Sequence, residues 1–230
     1  MLQQTQVDRV AERFPLFIER FPTIAALAEA DFAHVMQAWQ GLGYNRRARY
    51  LHEASKVIVA EHKGRIPKSP ELLITLPGIG KNTAASIAAF GFGYPSVFIE
   101  TNIRSVIIHH FFLGRDDVRD DEIIPLVEET LDRDDPYSWY SALMDYGTHL
   151  KSIHGNPSRR SSHHVKQSKF EGSDRQIRGR IMRAVGADTA SADALFTAVC
   201  DGNDRERFDR ILAKLCKDGM LRQTERGYAV

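Results

Sequence analysis

The sequence predicts an all-α fold, and three observations lead to that prediction. No stretch in the first 154 of the 230 residues shows the alternating polar and apolar pattern of a strand. Apolar residues recur instead at helical spacing, as Val7, Val10, Phe14 and Ile18 do. Short segments rich in glycine, proline and aspartate separate the helical stretches, which is typical of a bundle with short connections.

Capping and helix-breaking residues set the predicted limits of these helices. Asp31 is a predicted N-cap, because its short carboxylate accepts hydrogen bonds from the first free backbone N–H groups. Ser69 and Pro70 are typical of a helix start, and Pro77 ends that helix. The predicted helices run from Val7 to about Ile18, over 23–30, 32–40 and 46–62, from 69 to about 76, and over 84–89, 102–112, 120–131 and 136–153.

The composition is that of a soluble globular protein. Hydrophobic residues make up 43% of the chain and charged residues 27%. Charges interrupt each apolar run within about a dozen residues, which excludes a transmembrane helix. Residues 1–6 lack the basic and apolar regions of a signal peptide. Cys200 and Cys216 are too few for a disulfide or metal framework, so we interpret them as reduced thiols of a cytosolic protein.

The last third of the chain is predicted to form a separate small domain. We expect a first domain over residues 1–154, a linker over 155–173 and a second domain over 174–230. The predicted elements of the second domain are helices over 174–185, 190–199 and 204–218 and short strands over 220–223 and 228–230. Helices followed by a small hairpin resemble a winged-helix module, which in other proteins contacts DNA or mediates only protein contacts.

Charge is distributed unevenly along the chain. Residues 1–154 carry 16 Lys and Arg against 20 Asp and Glu, whereas residues 155–230 carry 15 against 10. Within residues 155–183 there are 8 Lys and Arg against 2 Asp and Glu. Two interpretations fit this basic stretch: contact with a polyanion, or a solvated flexible linker.

A glycine-rich turn, Leu-Pro-Gly-Ile-Gly-Lys-Asn-Thr, joins two predicted helices at residues 76–83. Gly78 and Gly80 permit backbone conformations that other residues resist, and the next helix begins with free backbone N–H groups. Such a terminus binds an anion readily, and no side chain crowds the approach of a phosphate. Two interpretations fit the turn alone: an ordinary helix C-cap, or a helix-hairpin-helix that grips DNA without reading its sequence.

An acidic residue downstream favours the second interpretation. Glu100 follows Gly80 by roughly twenty residues, after one apolar helix and a loop broken by glycine and proline. The order of hairpin, helix, loop and acid resembles the HhH-GPD superfamily of DNA glycosylases. Four stretches match its MutY-type adenine glycosylases in order: residues 1–7, 41–49, 76–80 and 143–147. The resemblance implies an all-α HhH-GPD bundle of two subdomains.

The resemblance also implies a set of DNA contacts. Gln4 matches a residue that wedges into the duplex beside the extruded base, and Tyr44 matches one that inserts next to the opposite base, usually 8-oxoguanine. A solvent-facing Gln4 and a half-buried core Tyr44 are the competing interpretations. The remaining candidate DNA-binding residues lie in the hairpin, in the following helix and among the arginines: Gly78, Ile79, Gly80, Lys81, Thr83, Asn102, Arg46, Arg47, Arg159 and Arg160.

Glu100 is the candidate catalytic residue. Base excision needs the nucleotide out of the stack, one acid to protonate the base and another to stabilise the cationic sugar. The family carries aspartate at this position, so the carboxylate of Glu100 lies one methylene farther out, at a site whose geometry is exacting. The family's base-protonating glutamate would precede Met1 by two residues. We therefore expect either a start upstream of Met1 or a protein without adenine excision.

Two further departures from relatives narrow the expected chemistry. Asn82 stands where the endonuclease III branch carries its Schiff-base lysine, so amine-dependent strand scission is not expected. Many relatives bind a [4Fe–4S] cluster through cysteines in the region that matches residues 151–167, and this region contains none. No iron–sulfur cluster is expected without thiolate ligands.

Metal binding by histidine is not expected. The pairs His109-His110 and His163-His164 would point about 100° apart on a helix, and they lack partners at a metal-site spacing. The resemblance implies a different ion, Na⁺ or K⁺ held by the turn carbonyls near Leu76 and Ile79.

Two functional hypotheses follow from the resemblance. The first is a monofunctional DNA glycosylase that removes adenine mispaired with 8-oxoguanine or guanine. The second is a protein on the same fold that binds damaged or mismatched DNA without catalysis, or with altered specificity. Either would be a monomer acting on double-stranded DNA in the cytoplasm, associated with the nucleoid and not with a membrane.

Overall fold

The structure is a computed structural model that describes residues 1–166, 169–186, 189–200 and 204–230. Its α-helices in these ranges are α1 Val7–Arg20, α2 Ile24–Glu29, α3 Phe32–Trp39, α4 Arg46–His62, α5 Pro70–Leu73, α6 Lys81–Phe92, α7 Thr101–Phe111, α8 Asp120–Thr130, α9 Pro136–His154, α10 Asp174–Val185, α11 Ala192–Val199 and α12 Arg205–Lys217. A 3-10 turn spans Pro157–Arg160, and strands β1 Arg222–Thr224 and β2 Gly227–Ala229 form the only sheet described. The predicted all-α fold is confirmed.

Local signals set several of these helix limits. The Asp31 carboxylate accepts a hydrogen bond of 2.8 Å from the Ala33 N–H and caps α3, as predicted. Helix α4 has the predicted limits because Lys63 takes a left-handed conformation (φ 55°) just after it. Helix α6 is longer than predicted, because Gly80 lets it begin at Lys81. No helix in the described ranges is long and apolar enough to cross a bilayer.

The chain divides into two compact units that do not follow chain order. One unit contains residues 1–65 and 168–230, and the other contains residues 66–167. A single hydrophobic cluster in the first unit includes Phe17 and Trp39 near the N-terminus and Phe208 and Leu215 near the C-terminus. The segment predicted as a linker contains the 3-10 turn. The boundaries predicted at 154 and 173 stay a prediction.

The second unit is built on the contact between α7 and α9. Its hydrophobic cluster includes Ile103 and Ile107 of α7, Tyr140 of α9 and Phe98 of the preceding loop. Gly147 brings the two helices together, since a Cβ atom at this position would lie 2.5 Å from the backbone oxygen of Asn102. A glycine is therefore required where α9 crosses the start of α7.

The short hairpin at the C-terminus confirms the predicted wing. Residues Arg222 and Ala229 pair across β1 and β2, and the sheet is antiparallel. Ala190 extends the hairpin by an isolated bridge, in which its N–H donates to the Tyr228 oxygen at 3.0 Å. Three helices followed by this hairpin give the winged-helix-like arrangement expected from the sequence.

Asp218 joins the two ends of the chain inside the first unit. Its side chain is only 6% exposed. The carboxylate forms ion pairs with Arg46 of α4 at 2.9 Å, Arg178 of α10 at 3.0 Å and Lys214 of α12 at 3.2 Å. The backbone oxygen of Asp218 also accepts a hydrogen bond from Arg49. Burial alone would raise the pKa of Asp218, but the hydrogen bonds from its three cationic partners lower it to about 2.

Replacing Asp218 by alanine is expected to lower the free energy of unfolding of this unit by roughly 2 kcal/mol, because the carboxyl pKa is about two units below its unfolded value. The folded pKa is depressed, so this stabilisation is present above pH 4 and is lost as the pH falls from about 4 towards 2. Urea unfolding of the parent and of Asp218→Ala between pH 7 and pH 3 measures both effects. Asp209→Ala is the matched control, because it removes an exposed α12 carboxylate whose ion pair among the described residues is with Arg205.

Candidate functional site

The predicted hairpin has a glycine turn and an open helix terminus. Helix α5 ends at Leu73, the Ile79 N–H donates to the Leu76 oxygen at 3.2 Å, and Gly78 has φ 75°. Gly80 is the N-cap of α6 and provides no side-chain cap for the helix. A Cβ atom at Gly80 would meet no described atom within 4 Å. The first N–H groups of α6 therefore face open space with the positive end of the helix dipole.

Side chains around the hairpin are suited to an anion. Lys81 is exposed at the first position of α6, and Thr83 is half-buried in its first turn. Leu76 is buried, and its carbonyl already accepts the Ile79 N–H. The monovalent cation expected near Leu76 and Ile79 stays a prediction.

Glu100 caps the next helix. One carboxylate oxygen accepts hydrogen bonds from the N–H groups of Asn102 and Ile103, the second at 3.1 Å, so Glu100 is the N-cap of α7. The other oxygen makes no hydrogen bond to a described residue. The side chain is half-buried, so it combines access from solvent with a fixed position.

The loop that carries Glu100 is anchored on both sides. Phe98 and Ile99 are buried, and the Tyr140 hydroxyl donates to the Ser96 oxygen at 2.8 Å. Burial raises the pKa of Tyr140 to about 12, so this hydroxyl stays protonated as a donor. On the other side the Asn82 amide donates to the Ile99 oxygen at 3.1 Å. Asn82, which stands at the position of the lysine in the endonuclease III branch, thus fixes the residue before Glu100.

Lys151 lies beside Glu100 and was missed by sequence reasoning as a site residue. Its ammonium donates to the Asn102 side-chain oxygen at 2.5 Å, and the Asn102 amide faces the Met144 sulfur at 3.8 Å. Burial lowers the pKa of Lys151, while the charge of Glu100 raises it. Helical spacing could have found this residue, because 144, 147 and 151 follow one another by three and four positions on one face of α9.

In the first unit, Gln4 and Tyr44 share an unusual backbone conformation. Gln4 has φ 58° and Tyr44 has φ 46°, and both side chains are exposed, Tyr44 by 40%. Residues other than glycine rarely adopt these values, and such strain clusters at ligand-contacting positions. The insertion of Gln4 and Tyr44 into the duplex stays a prediction. We refer to residues 1–5 as the Gln4 segment and to residues 41–44 as the Tyr44 turn.

Arg47 lies between the Gln4 segment and the Tyr44 turn. Its Nη1 donates to the backbone oxygens of Met1 at 2.6 Å and Gln3 at 2.5 Å. Its Nη2 donates to the Thr5 hydroxyl at 2.7 Å and to the backbone oxygens of Leu42 at 3.0 Å and Gly43 at 3.2 Å. The guanidinium also stacks 5.3 Å from the Trp39 ring and 5.6 Å from the Tyr44 ring. Burial lowers the pKa of Arg47.

The other three candidate arginines differ in what they contact. Arg46 is paired with Asp218 and remains 47% exposed. Arg160 donates to the backbone oxygens of Phe112 at 2.9 Å and Ile108 at 3.2 Å, which closes the C-terminal end of α7. Arg159 is exposed. Their roles in DNA binding stay predictions.

Three histidines, His109, His110 and His154, lie in ring contacts in the second unit. His109 stacks on His154 with ring centroids 4.9 Å apart, and His110 Nε2 lies 2.7 Å from the Tyr146 hydroxyl. Burial, together with the nearby charges of His110, His154 and Arg160, lowers the pKa of His109. Within the described part of the chain, no three His, Cys, Asp or Glu residues are arranged to hold a metal ion.

Comparisons with known proteins agree with this arrangement. The model of the HhH-GPD superfamily of base excision DNA repair proteins matches residues 1–129. The adenine DNA glycosylase of Mycolicibacterium smegmatis is 32% identical over 99% of this chain and 83% of its own. The adenine DNA glycosylase of Mycobacterium tuberculosis is 31% identical over 99% of this chain and 81% of its own length.

Solved structures resemble the fold at lower identity. A thermostable thymine-DNA glycosylase superposes with a TM-score of 0.59 at 20% identity, over 68% of this chain and 73% of its own. A trapped endonuclease III–DNA covalent intermediate superposes with a TM-score of 0.56 at 19% identity, over 64% of this chain and 68% of its own. From the family match over residues 1–129 and the two mycobacterial relatives, this chain belongs to the HhH-GPD superfamily of base excision DNA repair proteins.

Proposed function

We propose that the protein is a monofunctional DNA glycosylase that removes adenine mispaired with 8-oxoguanine or guanine. The observation that carries the proposal is the carboxylate of Glu100, fixed at the N-terminus of α7 with one oxygen unused by described residues. The two mycobacterial relatives named adenine DNA glycosylase support the choice of base. The choice of 8-oxoguanine or guanine as the opposite base rests on the resemblance of Gln4 and Tyr44 to the residues that insert into the duplex in the family.

In the proposed reaction, Glu100 stabilises positive charge on the sugar. As the N-glycosidic bond breaks, the bonding electrons leave with the base and C1′ becomes cationic. The unused carboxylate oxygen lowers the energy of that cation. Water then adds to C1′ and gives up one proton, and the departing base, which left with the bonding electrons, takes up one proton, so the products are free adenine and an abasic sugar. The N–H groups of Asn102 and Ile103 hold the carboxylate in place, so little reorganisation is needed.

The proposed reaction stops at an abasic site. A lyase reaction needs an amine that forms an imine with C1′, and Asn82 carries an amide at the position of the lysine in the endonuclease III branch. The Asn82 side chain is also engaged with the Ile99 oxygen. The DNA strand therefore stays intact until alkali is added.

An excision assay tests the proposal. Duplexes with adenine opposite 8-oxoguanine, guanine or thymine are incubated with the protein and analysed with and without alkali. We expect alkali-dependent breaks at the first two mismatches and none at the paired adenine. Breaks that appear without alkali would contradict the monofunctional reaction. The absence of base release from all three duplexes, both with this chain and with a version extended to place a glutamate two residues before Met1, would contradict the enzymatic proposal.

A second candidate function is binding of mismatched DNA without catalysis. The substitution of glutamate for the family's aspartate at position 100 favours it, because the capping geometry fixes the carboxylate one methylene farther out. This function predicts tighter binding to mismatched than to paired duplex with no base release. The Glu100→Asp variant distinguishes the candidates: restored excision would mean that only the length of the side chain had prevented catalysis.

The exposed basic residues of 155–173 are expected to supply salt-dependent affinity. Replacing Arg159, Lys166 and Lys169 together by glutamine should reduce the slope of log Kd against log salt by about 2 to 3, since each neutralised phosphate contact contributes about 0.9. Preference among mismatches should not change, because phosphate contacts carry no sequence information. Arg160 is left in place because it closes α7.

The measurement is fluorescence anisotropy of labelled duplex over a range of salt. The matched control replaces three other exposed cations, Lys56, Lys63 and Arg133, by glutamine. An equal loss of slope in the control would mean that general charge, and not the basic stretch, determines the salt dependence.

A further inference from the structure

We propose that Arg47 is a positioning residue that joins the Gln4 segment to the Tyr44 turn, so that the side chains of Gln4 and Tyr44 enter the duplex as one unit. The inference rests on the proposed function and deepens it. It differs from the sequence-based expectation, in which Arg47 contacts DNA itself.

The hydrogen bonds of Arg47 leave its terminal nitrogens no free donor for phosphate. Nη1 and Nη2 carry four N–H groups, and five described acceptors lie within hydrogen-bond distance of them. Nε is buried and has no hydrogen-bond partner in the described residues. A phosphate contact would therefore require existing bonds to break, at a residue that is already half-buried.

The acceptors belong to two segments that are far apart in sequence. Two are carbonyls of the Gln4 segment, two are carbonyls of the Tyr44 turn, and the Thr5 hydroxyl bridges the segments by also donating to the Leu42 oxygen at 3.1 Å. A planar guanidinium can hold acceptors on both sides at once, whereas a lysine ammonium is a single point charge. The Arg47 guanidinium therefore links the Gln4 segment to the Tyr44 turn.

The link through Arg47 explains how the strained backbone conformations of Gln4 and Tyr44 persist. A left-handed conformation at a residue other than glycine costs roughly 1 to 3 kcal/mol and survives only where its surroundings fix it. Arg47 bonds the carbonyl of Gln3 directly before Gln4 and that of Gly43 directly before Tyr44. It also stacks against the Tyr44 ring, while Trp39 beneath it donates to the Gly43 oxygen at 3.1 Å. Both strained residues are thus fixed through one side chain.

The first test needs no DNA. In Arg47→Lys, amide hydrogen exchange is expected to speed up at least about tenfold in residues 1–6 and 41–45 together, because the bonds that hold both segments are lost. Arg65→Lys, at an exposed position of the same unit, is the matched control and should leave both peptides unchanged. Thr5→Val, a milder change at the bridge, should shift both peptides in the same direction. Faster exchange in one segment only, in a folded Arg47→Lys protein, would overturn the coupling.

The second test measures insertion into DNA. The parent carries Glu100→Gln to prevent base release, and the duplex carries fluorescent 2-aminopurine opposite 8-oxoguanine. We expect a rise in fluorescence on saturation with the parent, because extrusion unstacks the base. Arg47→Lys and Arg47→Met should both lose most of that rise while binding paired duplex with an unchanged salt slope.

A phosphate contact predicts a different pattern. Arg47→Lys would keep its charge and retain the fluorescence rise, and Arg47→Met would reduce the salt slope by about 1. Either result would overturn the positioning role. If the parent itself gives no rise, the proposed function fails, and the hydrogen-exchange experiment still decides whether Arg47 couples the two segments.

Discussion

Replacing Glu100 by glutamine is expected to lower the rate of base release about 100- to 1,000-fold, since it removes the charge that stabilises the cationic sugar. Glutamine has nearly the same shape, and its side-chain oxygen can still accept the N–H groups of Asn102 and Ile103. The cap of α7 is therefore retained, and affinity for mismatched duplex should stay within about threefold of the parent. Single-turnover release of adenine, with binding measured in parallel, checks both expectations.

The control for this variant is Glu100→Ala, which removes the cap as well as the charge. It should lose base release to the same extent and also lower the free energy of unfolding by about 1 kcal/mol, the usual cost of an N-cap. Base release by Glu100→Gln at the parental rate would show that the charge of Glu100 does not stabilise the cationic sugar.

Replacing Gly80 by aspartate is expected to weaken binding to any duplex at least about 100-fold. The change places a carboxylate where the free N–H groups of α6 face open space, and charge-assisted hydrogen bonds of about 1.5 to 3 kcal/mol each would be lost. The fold should tolerate it, because Gly80 has φ −89° and no described atom lies within 4 Å of its Cβ position. Aspartate is also a good N-cap. Anisotropy titrations with paired and mismatched duplexes measure the effect.

Two variants separate the effect of the negative charge from that of the added side chain and from that of its position on α6. Gly80→Ser adds a small neutral N-cap at the same position and should weaken binding far less than aspartate does. Gly91→Asp places the same charge at an exposed position near the other end of α6, where a Cβ atom also has open space. Parental affinity in a folded Gly80→Asp protein would mean that the hairpin does not anchor DNA.

Local signals in the sequence predicted most of the fold. The limits of α4, the N-cap of α3 and the terminal hairpin all depend on residues within a few positions of one another, such as Asp31 before α3 or Gly227 in the wing. The turn at residues 78–80 was identified for the same reason, since glycines mark it directly.

Contacts between distant parts of the chain could not be predicted in this way. Asp218 looks like an ordinary helix-terminal acid, and only the fold brings Arg46 and Arg178 to it. The sequence predicts that Arg47 contacts DNA through its charge, whereas its hydrogen-bond acceptors near residue 1 lie more than 40 positions away and cannot be found from local spacing. Lys151 became a site residue only when Gly147 let α9 approach Asn102.

The division of the chain has a consequence for how the protein folds during synthesis. Residues 66–167 leave the ribosome as one continuous segment and can fold at once, because their contacts are comparatively local. Residues 1–65 must wait for residues 168–230, which complete their hydrophobic cluster. Until then the cluster that contains Phe17 and Trp39 is incomplete, and the nascent N-terminal segment exposes apolar surface. A nascent chain stalled just after residue 167 has left the ribosome would therefore present a folded middle and an N-terminal segment that binds chaperones.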